Sequence, residues 1–208
     1  MDIVLAVLLG LGLAAACGFR VFVPLLILSI AGKAGAVSLV GGWSWLASDY
    51  ALIAFGAASL IEIVAYLVPW VDHALDVIAT PTAVVAGSLI AASQFQYVGI
   101  QGELLKWTLA VIAGGGAAAG IQAGTVAIRS LSTSVTGGLA NPLVSIVETS
   151  GAVVVSVMAI VVPVLLWVAL LVIFAIGWRA WARQRARKSA AGSKRIVAAG
   201  EPRAAAAN

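Results

Sequence analysis

The sequence predicts an all-α integral membrane protein: a compact bundle of five or six membrane segments, some short, broken or re-entrant. Three observations carry this reading. Hydrophobic residues make up 62% of the chain and charged residues only 10%, with a mean hydropathy of +1.12; a soluble domain is nearer a quarter charged. Several apolar runs approach or exceed the ~20 residues that span a bilayer. Glycine and proline interrupt those runs, and broken backbone at membrane depth is tolerated only inside protein or along a watery cavity. Residues 1–178 form the expected transmembrane domain, and residues 179–208 a basic, disordered cytoplasmic tail.

Residues 3–31 are apolar apart from Arg20 and a few small polar groups. The run is long for one straight span, and Gly18, Arg20 and Pro24 in its middle predict a kink or break. Met1-Asp2-Ile3-Val4 lacks the positive start of a signal peptide, so this run is expected to be a retained span. A loop over residues 32–50 carries Trp43 and Trp45, which suit a membrane interface. Ala51–Val68 is the second span, with Glu62 inside it and Pro69 at its end. Thr80–Ala92 is an apolar run too short for an easy crossing, hence a re-entrant candidate. Ser93–Lys106 is a polar connector.

Trp107–Ile128 reads as a span with Gly116, Gly120 and Gly124 on one face. Glycines at four-residue spacing let helix backbones approach, so this face is expected to pack against another helix. Gln122, Thr125 and Arg129 fall on the opposite, polar face. The stretch Thr136-Gly137-Gly138-Leu139-Ala140-Asn141-Pro142 then leads to Ser145 and Glu148. Two glycines permit an irregular backbone, and Asn-Pro suits a helix start. Asn141, Ser145 and Glu148 share a helix face. Gly138–Glu148 is therefore a second re-entrant candidate, with a half-helix N-terminus facing a polar pocket. Gly151–Gly177 is the last span, with Pro163 as its kink. In each half a segment carrying an arginine (Arg20, Arg129) precedes one carrying a glutamate (Glu62, Glu148), which suggests an inverted repeat like those of secondary transporters.

Eight of the twelve Lys and Arg residues follow Gly177. The positive-inside rule makes that tail cytoplasmic, where it would meet anionic lipid headgroups rather than nucleic acid. Cys17 is the only cysteine, which excludes an intrachain disulfide and any CxxC metal motif. Asp72-His73-x-x-Asp76 is better read as a secondary acidic cluster in a solvated turn than as a metal site. No metal or cofactor is expected. Without HExxH, GxSxG or a second histidine, no enzyme is expected either.

Gly18-Phe19-Arg20 with Pro24-Leu25, Glu62 with Pro69 and Asp72, and above all TGGLANP (Thr136–Pro142) with Glu148 resemble domain-of-unknown-function family 4126, a family of bacterial polytopic membrane proteins. The resemblance spans roughly residues 5–175. It implies a multi-span bacterial inner-membrane protein and brings no activity, substrate or site.

An unpaired charge at mid-bilayer costs ~2.5–3.5 kcal/mol or more, so pairing is expected: Arg20 with Glu62 and Arg129 with Glu148, or crosswise. The functional expectation is transport of a small solute or ion through a polar cavity, with proton coupling through a carboxylate. The pathway residues are Arg20, Glu62, Arg129, Asn141, Ser145 and Glu148. The alternative is a scaffold or accessory subunit that packs, as a homo-oligomer or with a partner, through the glycine face.

Overall fold

The first apolar run breaks at residues 17–21. Helix α1 (Ile3–Ala16) ends there and α2 (Phe22–Lys33) begins. A Cβ on Gly18 would lie 2.4 Å from the carbonyl oxygen of Ala118, so only glycine lets this turn sit against the neighbouring helix. The computed structural model describes residues 2–68, 71–169, 171–172, 175–176, 178–179 and 182–183, and only the backbone of Asp72 and His73. All its regular structure is helical among the described residues.

A 3-10 helix (Gly41–Ala47) leads into α3 (Asp49–Ala65) through a 60° bend. Ser48 caps α3 by accepting the Ala51 N–H at 3.2 Å, and Asp49 adds a negative charge to its first turn, where the helix dipole favours one. Then come α4 (Val71–Phe95), α5 (Glu103–Leu109), a π-helical segment (Ala110–Gly115) and α6 (Gly116–Thr136). The last three form one continuous helix, Glu103–Thr136. Gly137 (φ 64°) and Gly138 (φ 91°) turn the chain in left-handed conformations, and α7 (Asn141–Val161) follows. The last break is at Val162, before Pro163, which disfavours helical geometry in its predecessor.

Contacts fix the direction of each element. Gly10 meets Ala91 and Gln94, and Gly87 meets Ala14, so α1 runs antiparallel to α4. Leu26 approaches Gly56 and Lys33 pairs with Asp49, so α3 runs back along α2. Gly41 lies near Gln96, the Trp43 ring packs at a tilt against Trp107, and the indole N–H of Trp167 donates to Leu8 O at 2.9 Å. The start of α1, the end of α2 and Trp167 therefore share one end of the bundle. α1 and α2 have 14 and 12 residues, ~21 and ~18 Å at 1.5 Å per residue. Both fall short of the ~30 Å hydrocarbon core. They form a hairpin that enters from one end and turns inside.

This corrects where the chain doubles back. Thr80–Ala92 is not a re-entrant segment: it lies within the 25 residues of α4, which continues through Pro81. Gly138–Glu148 is not a half-helix either, because α7 runs unbroken for 21 residues. The re-entrant geometry belongs to α1 and α2. The bundle has three helices long and apolar enough to cross a membrane, or four if the bent Gly41–Ala65 pair is one span, among the described residues.

The glycine expectation also changes. A Cβ on Gly116, Gly120 or Gly124 would meet nothing within 4 Å, so among the described residues this face packs on no other helix of the chain. The core uses the other face, where Ala118, Gln122, Thr125 and Arg129 are buried. The glycines that let this helix approach α4 are Gly114 and Gly115, with Gly87 facing them: a Cβ on Gly114 would lie 2.6 Å from Gly87 O. The π-segment turns Gly114 and Gly115 toward α4; such insertions locally rotate the helix face.

Met1–Trp167 and Val168–Asn208 form separate units. In the second, the described residues are helical, up to Arg183. Of the basic tail expected over residues 179–208, Arg179, Ala182 and Arg183 are helical and the rest lies outside the described residues.

Candidate functional site

Five elements converge at the tip of the α1–α2 hairpin. The tip supplies Arg20. α3 supplies Glu62 and, one helical turn on, its C-cap residue Tyr66; α4 supplies Asp76. α6 turns Arg129 inward from its polar face. On α7, Ser145, Glu148 and Thr149 stand at i, i+3 and i+4 and so share a face.

Arg20 is only 1% exposed. Its Nη2 donates to Ser145 Oγ at 2.6 Å and to Ser145 O at 3.1 Å, and its Nε donates to Thr149 Oγ1 at 3.0 Å. The same Nη2 is 3.4 Å from Glu148 Oε2. Arg129 donates from Nη1 to Asp76 Oδ1 at 2.9 Å and from Nη2 to Glu148 Oε2. Glu148, 4% exposed, therefore stands between two guanidiniums. Both lie over the Tyr66 ring, at 4.1 and 4.3 Å from its centroid, and the Tyr66 hydroxyl donates to Asp76 Oδ1 at 3.3 Å. A cation over a ring is worth ~0.5–2 kcal/mol, more when desolvated. Arg129 Nε and Glu148 Oε1 are buried without a hydrogen-bond partner.

Glu62 is held differently. Its Oε1 accepts the N–H of Val21 at 2.8 Å and its Oε2 that of Phe22 at 3.1 Å. These donors begin α2, where N–H groups have no partner within the helix and the dipole favours negative charge. A groove of about 300 Å³ lies beside them, lined by Val21, Phe22, Glu62, Tyr66 and apolar side chains of α3 and α4. A second cleft of about 330 Å³ runs along Asp76, Thr80, Arg129 and Ser130, so the Asp76 end of the charge network borders open space.

A family model described as a domain of unknown function (DUF4126) matches residues 7–183. The chain belongs to this family. No curated protein and no solved structure matches it. The match covers every element that builds the charge cluster of this DUF4126 protein.

The cluster brings together Arg20, Arg129, Ser145 and Glu148, as the sequence suggested. Arg129 pairs with Glu148, and Arg20 reaches the same carboxylate instead of Glu62. Asp76 leaves the solvated turn expected for it and joins the network; Tyr66 and Asp76 tie α3 to α4 here. The Asp72 and His73 side chains lie outside the described residues, among which no three His, Cys, Asp or Glu groups could hold a metal. Asn141 stands apart. It is seven positions before Glu148, ~10.5 Å along the axis, and its Nδ2 donates to Thr133 Oγ1 at 3.0 Å. The α7 N-terminus is thus tied to the end of α6. Tyr66 and Thr149 were absent from the expected pathway, although each sits at i+4 from a residue that mattered, Glu62 and Ser145. That spacing was the available signal.

Proposed function

We propose that this DUF4126 protein moves a small ion or solute across the bacterial inner membrane, coupled to a proton, and that the charge cluster is the coupling element. One observation carries the reading: three carboxylates, Glu62, Asp76 and Glu148, gather around only two guanidiniums, Arg20 and Arg129, among the described residues. Ionisable groups at membrane depth are costly to keep, and a carboxylate among them gives a proton a place to ride. The broken hairpin beside it is the kind of irregular backbone that binding sites in transporters use.

The start of α1 and Trp167 leave the bundle at the end that also carries Lys33 and Lys106. Counting the bent Gly41–Ala65 pair as a fourth crossing, and with eight of the twelve Lys and Arg residues after Gly177 in the sequence, the positive-inside rule assigns that end to the cytoplasm. The test is proton flux. Purified protein in proteoliposomes with a trapped pH dye is given an imposed pH gradient and a clamped potential. Wild type is expected to dissipate the gradient, and Glu148→Gln to do so at the rate of empty vesicles. Equal rates for wild type and empty vesicles reject transport.

A scaffold or accessory role is the second reading, favoured by one feature: Gly116, Gly120 and Gly124 present an open face to whatever surrounds the chain. Glycine faces of this spacing suit close helix pairing in lipid.

A further inference from the structure

α3 packs on α2, and α4 packs on α1. Between α3 and α4 the bundle is open, with Val21, Phe22 and Leu25 of the hairpin as the floor of the gap. Two grooves run along it. The groove beside Glu62 shares Val21, Phe22 and Thr82 with a second, of about 240 Å³, which continues past Leu89 and Ile90 to Trp43 and Trp45 of the 3-10 helix. Trp43 is also a wall of a polar pocket of about 540 Å³, lined by Gln96, Glu103, Lys106 and Trp107. That pocket lies at the end of the bundle where α1 starts. We propose that the pocket and the second groove together bind one zwitterionic phospholipid with a primary ammonium. Its headgroup sits at Glu103 and Lys106, and one acyl chain fills the groove beyond Trp43.

Charge complementarity selects the headgroup. The Lys106 ammonium donates to Glu103 Oε1 at 2.7 Å. An ammonium has three donors and a carboxylate two oxygens, so among the described residues the pair keeps groups of both signs for a ligand. The Lys106 side chain is only 15% exposed, which holds its charge at the pocket wall. A phosphate suits Lys106, and a primary ammonium can donate to Glu103, which a trimethylammonium cannot. An anionic headgroup without an ammonium meets Glu103 as a like charge. The Trp43 and Trp107 rings, with centroids 6.1 Å apart, stand in the same pocket. Indoles settle at headgroup depth, and their faces attract cations.

The groove suits one chain in chemistry and in length. Leu25, Leu46, Phe55, Val85 and Ala86 line it, with fully buried Ile90 at its floor. A gap left empty there would forfeit the dispersion contacts of its lining. One leaflet is half of the ~30 Å hydrocarbon core, ~15 Å deep. That depth equals ~10 helical residues, which on α4 leads from Ile90 to Thr80. A chain entering at Trp43 therefore ends near Thr82, where the second groove meets the one beside Glu62. Polar pocket, paired indoles and apolar groove follow one another in the order in which a phospholipid presents its headgroup and its chain.

The test uses the full chain in detergent, washed free of lipid. Phosphatidylethanolamine, phosphatidylglycerol or the chain-free glycerophosphoethanolamine is titrated in while thermal stability is read, and native mass spectrometry counts the lipid retained. Wild type is expected to retain one phosphatidylethanolamine and to bind it ~10-fold more tightly than phosphatidylglycerol, the worth of one charged hydrogen bond. Glu103→Gln leaves Lys106 unopposed and is expected to invert that order. Val85 is 57% exposed at the lip of the groove. Val85→Trp is expected to fill the groove and weaken both lipids ~10-fold or more, with the preference between them unchanged. Should Val85→Trp fail to fold, the lipid orders of wild type and Glu103→Gln decide. Equal affinity for the two lipids in wild type, or an order that Glu103→Gln leaves unchanged, overturns the proposal. So does stabilisation by glycerophosphoethanolamine equal to that by the intact lipid, or undiminished lipid binding in folded Val85→Trp. Stabilisation that never saturates, with no lipid retained, marks a bulk solvent effect and also overturns it.

Discussion

Glu148→Gln should separate the two arginines that share this carboxylate. The substitution keeps shape and removes the charge. Breaking a buried pair by removing one partner typically costs ~3–5 kcal/mol, because the other charge is left buried. The loss should fall unequally here. Arg129 keeps Asp76 at 2.9 Å. Arg20 keeps the neutral acceptors Ser145 and Thr149, with Glu62 as a nearby carboxylate that does not hydrogen-bond it. Glu148→Gln is therefore expected to cost about 3 kcal/mol, most of it at Arg20. For a chain of this size that is a fall in Tm of roughly 6–12 °C. Double-mutant cycles apportion it. The Arg20→Gln/Glu148→Gln cycle should give a coupling of ~2–3 kcal/mol, and the Arg129→Gln/Glu148→Gln cycle roughly half that. Cys17 supplies the assay: it is the only cysteine and is fully buried, so a thiol-reactive dye reports unfolding directly. Additive costs in both cycles would refute the shared-carboxylate argument. A larger coupling to Arg129 than to Arg20 would refute the compensating role given to Asp76.

Other outcomes follow from the packing and the hairpin. Gly18→Ala should lower stability by ~1–3 kcal/mol, the usual range for overpacking, because its Cβ would meet Ala118 O. Gly120→Ala should change it by less than ~0.5 kcal/mol in a monomeric preparation; equal melting shifts for the two variants would count against the contacts described. Glu62→Gln should cost about 1 kcal/mol, as loss of a helix cap does, and hence less than Glu148→Gln; the reverse order in the same dye assay would contradict the capping role. Single cysteines at Asp2 and Gln101 in a Cys17→Ser background should be labelled from the same side of the membrane by an impermeant maleimide. Labelling from opposite sides would rule out the hairpin topology.

The sequence by itself determined the class and most of the charged residues. Apolar runs long enough to cross a bilayer need only composition to be recognised, because in lipid every backbone group must bond within its own segment. Isolated ionisable groups in such runs are equally visible, so Arg20, Glu62, Arg129 and Glu148 were legible, as were the breaks at Gly18 and Gly137-Gly138. Partners were not. Which carboxylate an arginine reaches depends on how helices cross, and only the tertiary structure brought Asp76 to Arg129, laid Tyr66 under both guanidiniums and turned Glu62 onto the α2 N-terminus. Helix periodicity alone also misjudged Gly116, Gly120 and Gly124. Spacing says which residues share a face, but not whether a neighbour lies against it, and the π-segment at Ala110–Gly115 hands the close contact with α4 to Gly114 instead. The same limit hid the re-entrant hairpin. Length made Thr80–Ala92 look too short to cross, yet the helix continues past Pro81 although proline has no N–H to donate. The segments that turn back are α1 and α2, because Gly18 lets the chain reverse against the Ala118 backbone.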